Sequence, residues 1–268
     1  MTIERLILIA AGRGKRLGAH TEEVPKCLVE VAGRPIFDWV WDALARAGVR
    51  ELVVIRGYKP DVIERGIRAR VPGAIFVDNA AWDTNNVLLS LGYARRFLDR
   101  PTYVSYSDIV FSPAVAAAAA RSTADIGLVI DREFRTIYDG RTEHPLDEGE
   151  VSELAADGAV ARVGKRALPA ERAIGEFIGL MRLGAHGVAA VAAMIDELAA
   201  RFAVDDSQPF QRAARYRNAY LTDLLQELID RSTRVDPIFI DGQWREIDTG
   251  QDLERARALL QSRPKEWT

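Results

Sequence analysis

From the start of the chain to about residue 130, short apolar runs alternate with longer amphipathic ones, and this rhythm constrains the fold more than any other feature. Leu6 to Ala10, Leu52 to Ile55, Ala74 to Val77, Tyr103 to Tyr106 and Ile126 to Ile130 have strand length and strand composition. Between them, Ile36 to Ala47 places Phe37, Val40, Trp41 and Leu44 on one helical stripe. Pro60 to Arg70, Asn86 to Phe97 and Pro113 to Arg121 also read as helices. Strand–helix alternation at this spacing predicts an α/β fold with a mostly parallel sheet and helices on both faces. Ligands then bind beyond the carboxyl ends of the strands.

The rhythm changes after residue 131. Residues 131–149 are polar and turn-rich, and 150–165 read as a hairpin turning at Asp157-Gly158. Phe177 to Leu183 is a strand. Gly184 to Phe202 and Tyr220 to Ile229 are helical stretches. Val235 to Ile240 and Trp244 to Ile247 read as a second hairpin around Asp241-Gly242, and a last helix runs from Asp252 to Leu260. Neither an internal repeat nor a flexible linker interrupts the sequence. The expectation is therefore one domain, 1–268, with residues 131–183 as a small subregion inserted beside the site.

Composition closes off several function classes. The 268 residues carry 36 basic and 39 acidic side chains, so the net charge of −3 gives no field for nucleic acid. No apolar run approaches the roughly 20 residues of a membrane span. The single cysteine, Cys27, excludes an intramolecular disulfide. It reads as a small buried residue rather than a reactive thiol. A first strand starting near Ile3 leaves no room for a signal peptide, and a cytoplasmic location is expected.

The chemistry is concentrated where the first strand ends. Ala10 and Ala11 open a loop carrying Gly12, Gly14 and Gly18, with Arg13, Lys15 and Arg16 between them, and Pro25-Lys26 follows. Glycines let backbone N–H groups approach an anion, and interleaved cations neutralise a polyphosphate. Two better-known phosphate loops do not fit. The dinucleotide fingerprint needs a glycine where Leu17 stands, and no Walker A string occurs.

The string Ile9-Ala-Ala-Gly-Arg-Gly-Lys-Arg-Leu17 followed by Pro25-Lys26 resembles the signature of sugar-phosphate-type nucleotidyltransferases. The resemblance implies a Rossmann-like, GT-A-like nucleotidyltransferase fold, with the loop from Ala10 to Lys15 on the triphosphate. It also implies Arg16 and Lys26 near the reacting phosphate. Hard oxygens at strand ends suit a divalent cation. Asp108, in Tyr-Ser-Asp-Ile-Val-Phe, and Asp248, in Glu-Ile-Asp-Thr, match the places where the family puts two magnesium-binding aspartates. Each alone would serve equally as a turn or capping residue. Glu246, two residues before Asp248, shares its face on a strand and joins the candidate ligands.

Asn85, Asn86 and Ser90 have the donors and acceptors a pyrimidine needs, although Asn85 also suits a helix cap. Asn-Asn-Val-Leu-Leu-Ser stands where thymidylyl- and uridylyltransferases carry Gln-x-x-Gly-x-Ala. With the terminal Glu-Ile-Asp-Thr, it resembles the CTP-dependent phosphocholine and phosphonate cytidylyltransferase branch. The implied partners are CTP and a small phosphonate or phosphomonoester, with Mg2+ as cofactor; a homodimer is left open.

On the acceptor side, Arg132, Tyr138 and Arg141 lie in the loop after the strand at 126–130, where guanidinium groups suit phosphonate or carboxylate oxygens. A solvated charged loop is the alternative. Glu176 and Asp223 resemble pocket-lining positions, and Lys165 and Arg166 follow the middle hairpin. His144 reads as a loop residue rather than a base. A sugar- or inositol-phosphate nucleotidyltransferase and a non-catalytic nucleotide-sensing module are the competing readings.

Overall fold

The computed structural model describes residues 2–267. Strand β1 (Arg5–Ala10) leads through the glycine loop and a ribbon of β2 (Glu30–Val31) and β3 (Arg34–Pro35) into helix α1 (Ile36–Arg46). Then follow β4 (Glu51–Arg56), α2 (Pro60–Arg70), β5 (Ile75–Asp78), α3 (Val87–Tyr93), β6 (Thr102–Tyr106) and β7 (Ile109–Phe111). Helix α4 (Pro113–Arg121) and β8 (Ile126–Asp131) complete the alternating part. The remainder comprises α5 (Arg135–Tyr138), β9 (Glu150–Leu154), β10 (Val160–Lys165), β11 (Gly175–Leu183), α6 (Ala185–Arg201), α7 (Leu221–Asp230), β12 (Asp236–Ile240), β13 (Trp244–Glu246), α8 (Gly250–Ser262) and α9 (Pro264–Trp267).

The expected α/β architecture is present. Strand β1 pairs in parallel with β4 and β6, β4 with β5, and β8 with β12. Successive residues of β1 serve opposite faces, as a strand buried on both sides requires. Ile7 and Ile9 join the core under α3, α6 and α7, whereas Leu6, Leu8 and Ala10 join the core under α1, α2 and α4. A third cluster, built on Val31, Trp39, Leu253 and Trp267, seats α8 against the β2–β3 ribbon.

Strand β11 makes the sheet mixed. It runs antiparallel to β6, β8 and β9. One edge of β11 is shared. Gly175 and Glu176 pair with β9, and Leu180 to Leu183 pair with β6. Between them Gly179 stands at φ +85°, where a Cβ would come within 2.4 Å of the Tyr106 ring. Glycine is required there for both conformation and space. The result is a fork in the sheet, with the β9–β10 hairpin on one prong and β6 on the other.

Two expectations are corrected. Val235 to Ile247 is not a hairpin: β12 pairs in parallel with β8, and β13 pairs antiparallel with β7. The connection diverges because the buried Asp131 carboxylate takes it over, accepting from the Gly242 N–H at 2.7 Å and the Trp244 indole N–H at 2.8 Å. The helix at 86–97 is shorter, α3 ending at Tyr93 before a separate 3-10 turn at Arg95–Phe97. Among the described residues, no helix is long and apolar enough to cross a membrane.

Candidate active site

A cavity of about 280 Å3 opens at the carboxyl ends of β1 and β6 and extends into the fork of β11. Its floor is an ion cluster. The Lys26 ammonium, 7 % exposed, donates to Asp108 Oδ2 at 2.8 Å and to Asp248 Oδ1. Arg16 donates to Asp248 Oδ2 at 2.5 Å. Sequence-distant residues meet here for identifiable reasons. The Ile247 N–H donates to the Asp108 carbonyl at 2.8 Å, so the β7–β13 pairing carries Asp248 to Asp108. Gly14, at φ +71°, leaves room for the Lys26 stem, since a Cβ there would lie 2.8 Å from Lys26 Cδ.

Electrostatics follow from this packing. Burial pulls the Lys26 pKa down, but Asp108 and Asp248 outweigh it and hold the ammonium above the ordinary lysine value. Burial would raise Asp248, yet Lys26, His144 and Arg16 together keep it well below the usual carboxylate range. Glu246 is pushed up to about 7, first by burial and then by the Asp248 charge.

The donor set fits a hard divalent cation. Asp108 Oδ1 is buried without a hydrogen-bond partner. Carboxylates Glu246 and Asp248 lie with His144 in a group whose ligand-type atoms fall within 4.8 Å of one another. His144, in a loop as expected, is completely buried, its Nδ1 lying 3.3 Å from Asp248 and 3.0 Å from Arg141.

Of the residues expected to bind nucleotide, Ala11, Gly12, Asn85, Asn86 and Ser90 line the cavity, together with Arg16, Lys26, Asp108, Glu246 and Asp248. Ala10 does not; it points into the core. Arg13 lies 5.6 Å from the Tyr58 ring centroid, and Lys15 is exposed; neither they nor Gly14 line the cavity. Asn86, rather than Asn85, holds the cap position of α3 and makes no side-chain capping bond.

The acceptor-side expectations divide. Glu176 and Lys165 line the cavity. Arg132 does not, because Asp241 holds its guanidinium in a two-pronged ion pair at 2.8 and 2.7 Å. Arg141 is 7 % exposed and is used up in binding Asp252 at 2.6 Å and Glu246 at 2.9 Å. Tyr138 stands behind the wall and donates its O–H to Glu176 at 2.7 Å. Asp223 closes the first turn of α7, accepting from the Tyr220 and Arg212 N–H groups. Arg166 pairs with Glu148 at 2.8 Å.

Sequence reasoning missed Tyr106, Glu148, Glu150 and Tyr220, which complete the inner end of the cavity. Tyr106 carried a usable signal, closing β6 two residues before Asp108. Glu150, 6 % exposed, accepts from the Tyr106 and Thr222 hydroxyls; in sequence nothing separates it from Glu153 of the same strand, which is partly exposed. Burial and the nearby Glu246 charge push Glu176 up to about 8, and its Oε2 has no partner.

The chain is similar to the CTP:phosphoglutamine cytidylyltransferase of Campylobacter jejuni, at 28% identity over 92% of this chain and 97% of the relative. It is also similar to the 2-aminoethylphosphonate cytidylyltransferase of Lancefieldella rimae, at 29% over 59% of this chain and 60% of the relative. In fold it matches the CTP:phosphocholine cytidylyltransferase of Streptococcus pneumoniae, with a TM-score of 0.71 at 18% identity, covering 96% and 99% of the two chains. The inositol-1-phosphate CTP transferase of T. maritima gives 0.75 at 20%, covering 99% and 98%. Residues 6–200 match the model of the MobA-like NTP transferase domain. With that match over most of its length, and a glycine loop, buried lysine and paired aspartates gathered at the strand ends, the chain belongs to the MobA-like NTP transferase domain family.

Proposed function

We propose that this protein transfers a cytidylyl group from CTP to a small phosphonate or phosphomonoester and releases pyrophosphate. The observation that carries this reading is the Lys26 ammonium held between Asp108 and Asp248 on the floor of one cavity. The base wall of Asn85, Asn86 and Ser90 lies on the same cavity as Glu150, Lys165 and Glu176. Relatives that use CTP, and the phosphonate substrate named for one of them, support the choice of nucleotide and acceptor class.

In this mechanism an acceptor oxygen attacks the α-phosphorus of CTP. The new P–O bond forms as the bond to the bridging oxygen of the β-phosphate breaks. Lys26 neutralises charge growing at the α-phosphate. Arg16, paired with Asp248 but 49 % exposed at its side chain, would exchange that carboxylate for the leaving pyrophosphate. Asp108 and Asp248, with Glu246 beside them, would hold Mg2+, which supplies charge neutralisation at the phosphates when bound. Gly12 brings backbone close to the phosphates, and the cavity walls fix attacking and attacked atoms in line. At the inner end, Glu148, Glu150 and Glu176 offer carboxyl oxygens beside Lys165, which suits an acceptor carrying an amine that donates hydrogen bonds. A cytoplasmic location, where CTP is available, belongs to the same reading.

The test is pyrophosphate release with CTP, UTP, dTTP or ATP and magnesium, against phosphocholine, 2-aminoethylphosphonate, carboxylated phosphonates and hexose 1-phosphates. Release confined to CTP with an aminoalkyl phosphonate or phosphomonoester is expected. Preference for a hexose 1-phosphate would replace this reading with a sugar-phosphate nucleotidyltransferase. CTP binding without release against any acceptor would favour a nucleotide-sensing module.

A further inference from the structure

We propose that Asn79, which does not line the cavity, sets the direction of hydrogen bonding on the base wall and thereby the preference for cytosine over uracil. The inference rests on the assignment of Asn85 and Ser90 to the base. Asn79 follows β5 and is 1 % exposed. The orientation of its amide is fixed by the backbone: the Ala81 N–H donates to Asn79 Oδ1 at 3.0 Å, and a backbone N–H can only donate. The other end of the amide is therefore Nδ2. It donates to Asn85 Oδ1 and to Ser90 Oγ, each at 2.9 Å. Asn85 replies with one proton of its own Nδ2 onto Asn79 Oδ1 at 3.0 Å.

Proton counting then determines what the wall offers. Asn79 spends both amide protons on its two neighbours. Ser90 receives one, so its own hydroxyl proton is left to donate. Asn85 spends one of its two amide protons on Asn79 and keeps the other. Both cavity-lining residues thus hold a proton for the ligand. A proton-giving wall complements the N3 and O2 atoms of cytosine, which are both acceptors. Uracil carries a proton on N3, and donor facing donor leaves two buried groups unpaired. Asn79 is a positioning residue, acting on the base only through Asn85 and Ser90.

The experiment compares kcat/KM for CTP and UTP in Asn79→Asp, Ser90→Ala and the double variant, with the acceptor held saturating. Asn79→Asp keeps the side-chain shape but replaces the donating nitrogen by an oxygen, so the Ser90 proton turns away from the cavity. The expected result is a fall of about 10- to 100-fold with CTP, the worth of one or two hydrogen bonds, and less than threefold with UTP. Ser90→Ala shifts the ratio the same way, and the double variant is no worse than the stronger single one. Where Asn79→Asp fails to fold, the uncharged Asn79→Ala takes its place: it removes the donated protons that orient Asn85 and Ser90, and a fall with CTP of at least about threefold beyond any fall with UTP is expected. Equal losses with both nucleotides in the Asn79 variants, while Ser90→Ala still shifts the ratio, would overturn the positioning role alone. A Ser90→Ala enzyme with unchanged CTP KM and unchanged CTP:UTP ratio would overturn the base wall itself, and this inference with it.

Discussion

At the scale of single residues, the site is a set of charges whose values depend on one another. Asp108 is the residue most exposed to test, because one oxygen holds Lys26 and the other is unpartnered. Asp108→Ala is expected to lower kcat by about 1,000-fold or more, in line with losing charge stabilisation of a transition state. The melting temperature should move little, since Lys26 keeps Asp248. Retained turnover with magnesium would remove Asp108 from the mechanism. Glu176 makes a prediction about stability. Its carboxyl titrates at about 8 in the folded chain, against 4.5 for an unperturbed glutamate, because of burial and the Glu246 charge. Between those values the unfolded chain has released a proton that the folded chain keeps, so stability falls as pH rises through this window. Glu176→Gln keeps the Tyr138 hydrogen bond and removes the titration. Thermal melts at pH 5 and pH 8 should show the variant gaining on the native chain at the higher pH; parallel shifts at both would refute it.

At the scale of elements, the cavity exists because β11 divides its edge between β9 and β6. Gly179 is the hinge of that division. Gly179→Ala places a side chain in a left-handed conformation and drives a Cβ against Tyr106 at 2.4 Å. The cost is about 1–2 kcal/mol for the conformation alone, with more for displacing the ring. Tyr106 would lose its 3.0 Å bond to Glu150. Steady-state kinetics should therefore show acceptor KM rising more than the KM for CTP. Equal changes in both would mean that the fork does not shape the acceptor end.

At the scale of the whole molecule, the C-terminal part is inseparable from the site. Strand β12 joins β8 and β13 joins β7, which brings Asp248 back to Lys26 and Asp108, and α8 then supplies Asp252 to Arg141. Arg141 joins the 139–149 loop to Glu246 and Asp252 with side-chain exposures of 2 % and 3 % for Arg141 and Asp252. Arg141→Ala leaves two carboxylates without their partner and should cost about 3–5 kcal/mol in denaturant unfolding. A loss under about 1 kcal/mol would place the strength of this junction elsewhere. The 131–183 subregion contains β11, the strand at the fork of the sheet. We therefore expect residues 1–268 to unfold in one calorimetric transition.

What the sequence by itself determined is local. The period of apolar residues marked the main-sheet strands and the helices of the first half, though not the short β2, β3 and β7 or the end of α3 at Tyr93, because a buried strand and an amphipathic helix each leave a pattern a few residues long and a two- or three-residue strand does not. The glycine loop, Lys26 and the paired aspartates were legible because backbone approach, cation and hard oxygen each demand a residue type. What only the tertiary structure decided is which charges are already occupied. Arg16, Arg132 and Arg141 look equally available in sequence, yet each is paired with a distant carboxylate: Asp248 lies 232 residues from the first, Asp241 109 from the second and Asp252 111 from the third, and of these three pairs the first lines the cavity. Strand partnering escaped in the same way. Asp131 diverts the 241–244 connection from a hairpin, through hydrogen bonds spanning 111 and 113 residues. Such pairings leave no local trace, because nothing in a short window of sequence records which distant group will share its desolvated space.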